Sequence, residues 1–204
     1  MGVTMKDLVL ATRNKGKIEE FRRILDELAP GSIRLLGLEK FPETSEVDET
    51  GETFEENALL KARSICAETG LPAIADDSGL CVEALYGEPG IYSARYAGTH
   101  GDDAANNAKL LQELIHVPDE KRTAYFICVT ALVMPDGREV TREGRFYGSI
   151  GHESIGKNGF GYDPLFRPDG LSISSAQMSA SEKDAISHRG KSLRAIAPFV
   201  LEML

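Results

Sequence analysis

The chain opens on an apolar run, Leu8 to Ala11. Polar Asn14-Lys15-Gly16 follows, and then Ile18, Phe21, Ile24, Leu25 and Leu28 recur three and four residues apart. A continuous apolar run bounded by turn residues reads as a buried strand, and the i, i+3, i+4 spacing as one face of a helix. The order is therefore strand, glycine turn, helix, with Pro30-Gly31 as the helix stop. Ile33 to Leu38 predicts a second strand, and Glu43 to Glu52 a polar, acidic loop. Thr53 and Glu56 have the spacing of a capping box. Phe54, Ala58, Leu59, Ala62, Ile65 and Cys66 then line one side of a second helix, with Gly70 placed to end it.

Pro72 to Ala75 predicts a short strand that meets Asp76-Asp77-Ser78-Gly79 before apolar character resumes at Leu80 to Leu85. Asp, Ser and Gly are common turn formers, so a capped turn is the plain reading of that tetrapeptide. Asp102 or Asp103 can cap a third helix carrying Leu110, Leu111 and Leu114. Tyr125 to Met134 and Val140 to Ile150 predict two long antiparallel strands joined through Pro135-Asp136-Gly137. Gly156 to Pro164 is rich in glycine and contains aromatics; from about Ser181 the chain reads as helical, with a break near His188-Arg189-Gly190. Helices alternating with strands, plus one long hairpin, predict an α/β fold on a mixed sheet.

A length of 204 residues suits one domain, or one domain with two lobes, spanning residues 1–204. The net charge of −9 argues against a broad basic face for nucleic acid. It still admits a polyanionic small ligand held by local lysines, and an acidic excess suits a hard divalent cation. Three well-separated cysteines, Cys66, Cys81 and Cys128, predict buried thiols rather than a disulfide framework or zinc cluster. No apolar stretch approaches the ~20 residues that span a bilayer. Met1-Gly2 begins like a myristoylation signal, but Lys6 stands where Ser or Thr is wanted. The expected location is the cytoplasm.

Five segments carry candidate chemistry. Thr12-Arg13-Asn14-Lys15-Gly16-Lys17 lies between a strand and a helix start, where free amides and a positive dipole end suit phosphate. Gly16 permits close backbone approach, and Lys15 and Lys17 add point charges; otherwise the segment is a solvated turn. Asp76 and Asp77 repel one another unless a cation or donors offset them, and so suit Mg²⁺ or activation of water. Adjacent strand residues point to opposite faces, so the two need not share one ion. Glu46, Asp48 and Glu49 form an acidic loop that can complete a metal site, and Lys61 is either a snorkelling surface lysine or a charge aimed at phosphate. Gly159-Phe160-Gly161-Tyr162-Asp163-Pro164 offers planar faces to a base, or else makes a tight turn with core aromatics. Lys183 and Ser187-His188-Arg189-Gly190 supply donors for a base carbonyl or phosphates. The chain's four histidines assemble neither a Ser/His/Asp order nor H-E-x-x-H.

Taken together, these segments resemble the inosine triphosphate pyrophosphatase family, the non-canonical purine nucleoside triphosphate pyrophosphatases. The resemblance runs through Leu10-Ala11-Thr12-x-Asn14-Lys15-Gly16-Lys17, Glu49-Thr50-Gly51-x-Thr53-Phe54-x-Glu56-Asn57-Ala58 and Lys61-Ala62-Arg63. It continues through Ala75-Asp76-Asp77-Ser78-Gly79-Leu80, Pro89 to Tyr96, Gly159 to Pro164 and Ser187 to Gly190, in family order over nearly the whole chain.

The resemblance implies an elongated α/β fold around a long mixed sheet, with two lobes and an active-site cleft between them, usually as a homodimer. It implies hydrolysis of ITP, dITP and XTP to the monophosphate and pyrophosphate with Mg²⁺. Asp77 is then the general base and also touches the metal. Asp48 takes the other metal-associated position, where relatives often carry Glu; Glu49 is the alternative there. Thr12, Arg13, Asn14, Lys15, Gly16 and Lys17 hold phosphates, with Arg13 standing where many relatives have a small residue, and Lys61 assists them. Ser78, Phe160, Gly161, Tyr162, Asp163, Lys183, His188 and Arg189 bind the nucleotide and its base. The other readings are a related pyrophosphatase acting on pyrimidine or modified nucleotides, and a nucleotide-binding module without catalysis. Nucleic acid and membrane are not expected partners.

Overall fold

The computed structural model describes residues 5–204; the Met1-Gly2 start lies outside them. Strand β1 is Lys6–Leu10, and its partners are β2 (Ile33–Gly37) and β3 (Ala73–Val82), both parallel to it. Strands β4 (Thr123–Val133), β5 (Glu139–Ile150) and β6 (Phe166–Pro168) complete a six-stranded sheet in the order β2-β1-β3-β4-β5-β6. β6 is antiparallel to β5, so the sheet is mixed. Helices α1 (Lys15–Leu28), α2 (Phe54–Thr69), α3 (Asp103–Glu113), α4 (Ala180–Ile186) and α5 (His188–Met203) accompany it. The chain divides into two compact units: residues 1–77, 128–144 and 189–204 form the first, and 78–127 with 145–188 the second.

In the first unit the central strands β1 and β3 are buried on both faces over most of their length, and alternation decides which residue goes where. Val9, Ala73 and Ala75 pack with Ala58, Ala62 and Ile65 of α2. Leu8, Leu10 and Ile74 pack with Phe21 and Ile24 of α1 and with Leu193, Ile196 and Val200 of α5. Helix α2 forms as its sequence predicts: Thr53 and Glu56 make a reciprocal capping box, and Gly70 closes the far end in the left-handed conformation that glycine adopts without strain. The second unit has its own core, in which Leu110 and Leu114 meet Ala124, Phe126, Phe146, Tyr162, Leu165 and Phe166. There Arg122 is buried and donates to the carbonyls of Leu114, Ile150 and Gly151, tying the end of α3 to the end of β5.

Two expectations change. Asp76-Asp77-Ser78-Gly79 is not a capped turn: it is the middle of the ten-residue strand β3. Turn propensity loses because each carboxylate finds cationic partners that allow it to be buried in a strand. The C-terminal break falls at Ser187, which caps α4 before α5 starts at His188. The short strand β6 had no readable signal, since three residues carry no periodicity.

Candidate functional site

The phosphate-type loop is built by its own side chains. The Asn14 carboxamide oxygen accepts the Lys17 amide at 3.1 Å, and the Thr12 hydroxyl accepts the Asn14 amide at 3.2 Å. Asn14 is thus the N-cap of α1, and the loop delivers the first-turn amides and the dipole end that anions prefer. Arg13, Asn14 and Lys15 are exposed, and Arg13 reaches back to the Thr44 carbonyl at 3.3 Å. Lys17 turns inward, and its ammonium lies 3.1 Å from Asp76.

Asp76 and Asp77 leave β3 on opposite sides. Asp76 faces α1 and α5: the Arg189 guanidinium binds it at 2.8 and 3.2 Å and also pairs with Glu20, which is buried on α1. Burial works to raise the Asp76 pKa, but Arg189, Lys17 and Lys61 outweigh it and hold the carboxyl well below the usual range. Its Oδ1 is buried without a partner among the described residues.

Asp77 faces α2. The Lys61 ammonium lies 3.3 Å from Asp77 and 2.6 Å from Glu49, and the Asn57 amide donates to Asp77 at 3.3 Å. The carbonyl end of Asn57 accepts the Gly51 amide at 2.8 Å, which fixes the direction of its donor. Burial raises the Asp77 pKa; Lys61 and Lys17 oppose the rise, while Glu49 and Asp76 add to it. Burial would lower the Lys61 pKa, yet Asp77, Glu49 and Asp76 together raise it. The result is a charged lysine beside a carboxylate whose proton affinity is raised by burial, in spite of that lysine.

The donor set suits a hard cation. Asp77 and Glu49 offer carboxylate oxygens around Lys61, while Asp76, with its unpartnered Oδ1, lies on the other face of the strand. Among the described residues no group of three His, Cys, Asp or Glu is set to hold an ion unaided. The Asp48 side chain is exposed; the acidic-loop carboxylate that joins the cluster is its neighbour Glu49.

In the second unit, Gly159 and Gly161 both have left-handed backbones, φ +73° and +61°. The Asp163 carboxylate packs against the Gly159 α-carbon where any β-carbon would collide with it. That same carboxylate accepts the Phe160 amide at 3.0 Å and the Lys183 ammonium at 2.6 Å, and Lys183 lies 5.0 Å from the centre of the half-buried Phe160 ring. Tyr162 is buried and donates to the Ser93 carbonyl at 2.8 Å. His188 is buried with its ring stacked 4.8 Å from that of Phe126, and Ser78 is half-buried.

Of the expected site residues, Lys17, Lys61 and Asp77 converge with Asp76 and Glu49. Phe160, Gly161, Tyr162, Asp163 and Lys183 form a second cluster. Arg189 is held on Asp76 and Glu20. The sequence reading gave no site role to Glu20 or Asn57. Glu20 had a usable signal, a charge beside Phe21 on the apolar stripe of α1; the contact of Asn57 with Asp77 spans 20 residues and leaves no local pattern.

Residues 8–199 match the Ham1 family. The dITP/XTP pyrophosphatase of Nocardia farcinica is 53% identical over 96% of this chain and 95% of its own. The crystal structure of the nucleoside-triphosphatase / dITP/XTP pyrophosphatase of Mycobacterium abscessus superposes with a TM-score of 0.76 at 49% identity, covering 95% of this chain and 99% of that one. The Ham1 protein of Staphylococcus aureus gives a TM-score of 0.84 at 40% identity, covering 98% and 100%. Sequence, fold and similarity over almost the full length agree that this chain belongs to the Ham1 family.

Proposed function

We propose that this chain hydrolyses non-canonical purine nucleoside triphosphates, ITP, dITP and XTP, to the monophosphate and pyrophosphate, and so clears them from the nucleotide pool. The observation that carries the reading is Asp77: buried, with a raised proton affinity, and set between Lys61 and Asn57. The names of the family relatives support the substrate class.

In this reaction Asp77 takes a proton from a water whose oxygen attacks the α-phosphorus. The bond from α-phosphorus to the bridging oxygen breaks, and pyrophosphate leaves. Lys17, Lys61 and the amides of residues 12–17 offset phosphate charge. Asp77 together with Glu49, in the place expected of Asp48, would hold Mg²⁺, which when bound neutralises phosphate oxygens and lowers the pKa of water. Arg189 keeps Asp76 ionised, and Asp76 anchors Lys17. Ser78, Phe160 to Asp163, Lys183 and His188 serve the nucleoside, with Phe160 offering a ring face to the base. A pocket that donates to a 6-oxo group leaves adenine's amino group facing donors, and unpaired buried donors are costly.

We further place the protein in the cytoplasm as a homodimeric, single-domain enzyme with two lobes. No helix among the described residues is long and apolar enough to cross a membrane.

The test is product identification from ITP with Mg²⁺, with GTP and ATP as controls. Pyrophosphate released from ITP in clear preference to the controls, abolished by chelation and restored by Mg²⁺, is the expected result. Release of orthophosphate, or equal or better turnover of dTTP or UTP, defeats the proposal.

A further inference from the structure

We propose that Asp103 and Asn107, on one face of α3, are positioning residues that set the aim of the base-binding loop by holding Gly161 at both its N–H and its C=O. The proposal rests on the reading above, in which residues 159–163 serve the base. The Gly161 amide donates to the Asp103 carboxylate at 2.7 Å, and the Asn107 carboxamide donates to the Gly161 carbonyl at 2.9 Å. The two side chains stand four residues apart, the separation that places helix positions over one another. Asn107 also donates to the Asp103 carbonyl at 2.8 Å, so its NH₂ sits between two acceptors and its orientation is fixed.

Gly161 needs such a clamp. Its φ of +61° is open to glycine without strain, and no atom stands within 4 Å of where its β-carbon would be. Sterics therefore do not restrict it, and only contacts can remove its freedom. The helix that supplies the contacts is itself fixed. Leu110 and Leu114 are fully buried, and Asp102 caps the first turn. Asn106 holds both the Ala97 amide and the Ala94 carbonyl. Three consecutive loop residues are thus tied to different anchors: Phe160 to Asp163, Gly161 to α3, and Tyr162 to Ser93. A loop ordered before the nucleotide arrives does not lose that freedom on binding.

The experiment uses the full chain and five variants: Asp103→Ala, Asp103→Asn, Asn107→Ala, Asn107→Asp and Phe160→Ala. It reads KM and kcat for ITP, and inhibition constants for IMP and for inorganic pyrophosphate, with melting temperature as a folding control. Asp103 is exposed, so its truncation leaves the core intact. For both α3 alanine variants we expect the KM for ITP and the IMP constant to rise about tenfold, ~1.4 kcal/mol. The pyrophosphate constant and kcat should stay within about twofold, because the clamp touches neither phosphate groups nor Asp77. Asp103→Asn, which keeps an acceptor, should recover most of the loss. Asn107→Asp, which turns a carboxylate toward two carbonyls, should be worse than Asn107→Ala. Unchanged IMP inhibition in both α3 alanine variants overturns the proposal, as does an equal rise in the IMP and pyrophosphate constants. Phe160→Ala separates the two levels. If it weakens IMP while the α3 variants do not, only the clamp fails; if it too leaves IMP unchanged, the assignment of the loop to the base fails with it.

Discussion

Asp76 and Asp77 are neighbours on one strand whose carboxyl groups emerge on opposite faces of the sheet and shift in opposite directions. Asp76 meets Arg189 and Lys17 on the α1 and α5 side and is held strongly acidic. Asp77 meets Lys61 and Asn57 on the α2 side, and burial prevails there, so its proton affinity rises. The pleat separates a permanently charged anchor from a group able to accept a proton.

Asp77→Asn should lower kcat by at least about 10²- to 10⁴-fold, the range of a general base, while nucleotide binding is largely kept. A radiometric or coupled pyrophosphate assay beside a binding titration separates the two. A carboxyl whose folded pKa is raised above the ordinary 3.8 favours the folded state below that value, and the benefit disappears as pH rises through the folded pKa, so melts of the parent should lose this contribution above pH 3.8 and the variant should not. Full activity in the variant contradicts the assignment.

Asp76→Asn should do the reverse to stability. The folded pKa of Asp76 is depressed, so its contribution is complete above 3.8 and is lost as pH falls from 3.8 toward the depressed folded value. Thermal melts from pH 7 to pH 2 should show that acid loss in the parent and a smaller one in the variant. At pH 7, removing one partner from the buried Arg189 network costs about 3–5 kcal/mol. For a chain of this size that is a fall in Tm of roughly 6–20 °C.

Lys61→Gln should shift the pH profile of kcat/KM. Lys61 is the largest influence opposing the rise in the Asp77 pKa, so its loss lets that pKa climb further. The acid limb should move to higher pH, with reduced activity at its foot. A profile that keeps its acid limb in place would show that Lys61 does not tune the base.

Gly159→Ala should damage the protein more than Gly161→Ala. Both positions have left-handed backbones, a strain of roughly 1–2 kcal/mol for an alanine. At Gly159 the new β-carbon also strikes the Asp163 carboxylate, whereas at Gly161 it meets open space. Melting curves and the KM for ITP should rank the two in that order.

The helix caps, the apolar stripes and the glycine stops were legible in the chain, because they depend on residues within one turn of each other. Thr53 with Glu56 is a local bond between near neighbours, read from the chain and present in the structure; the Asn14 cap on Lys17 is equally local, but the chain there was read only as a polar turn. The lysine-bearing loop and the two aspartates could be picked out by residue type. Their chemistry could not be, because an aspartate acquires its proton affinity from what surrounds it.

Residue spacing was enough to read the main helices and strands, the capping box of α2 and the carboxylates and lysines available for catalysis, since these follow from periods of 2 and 3.6 and from side-chain chemistry. Folding in three dimensions is what makes Asp76-Asp77-Ser78-Gly79 continue a strand, brings Glu49 to Lys61, and closes Arg189 on Asp76 and Glu20. Those pairings join residues far apart in the chain, where burial and charge compensation override local turn preference, and no local pattern records them.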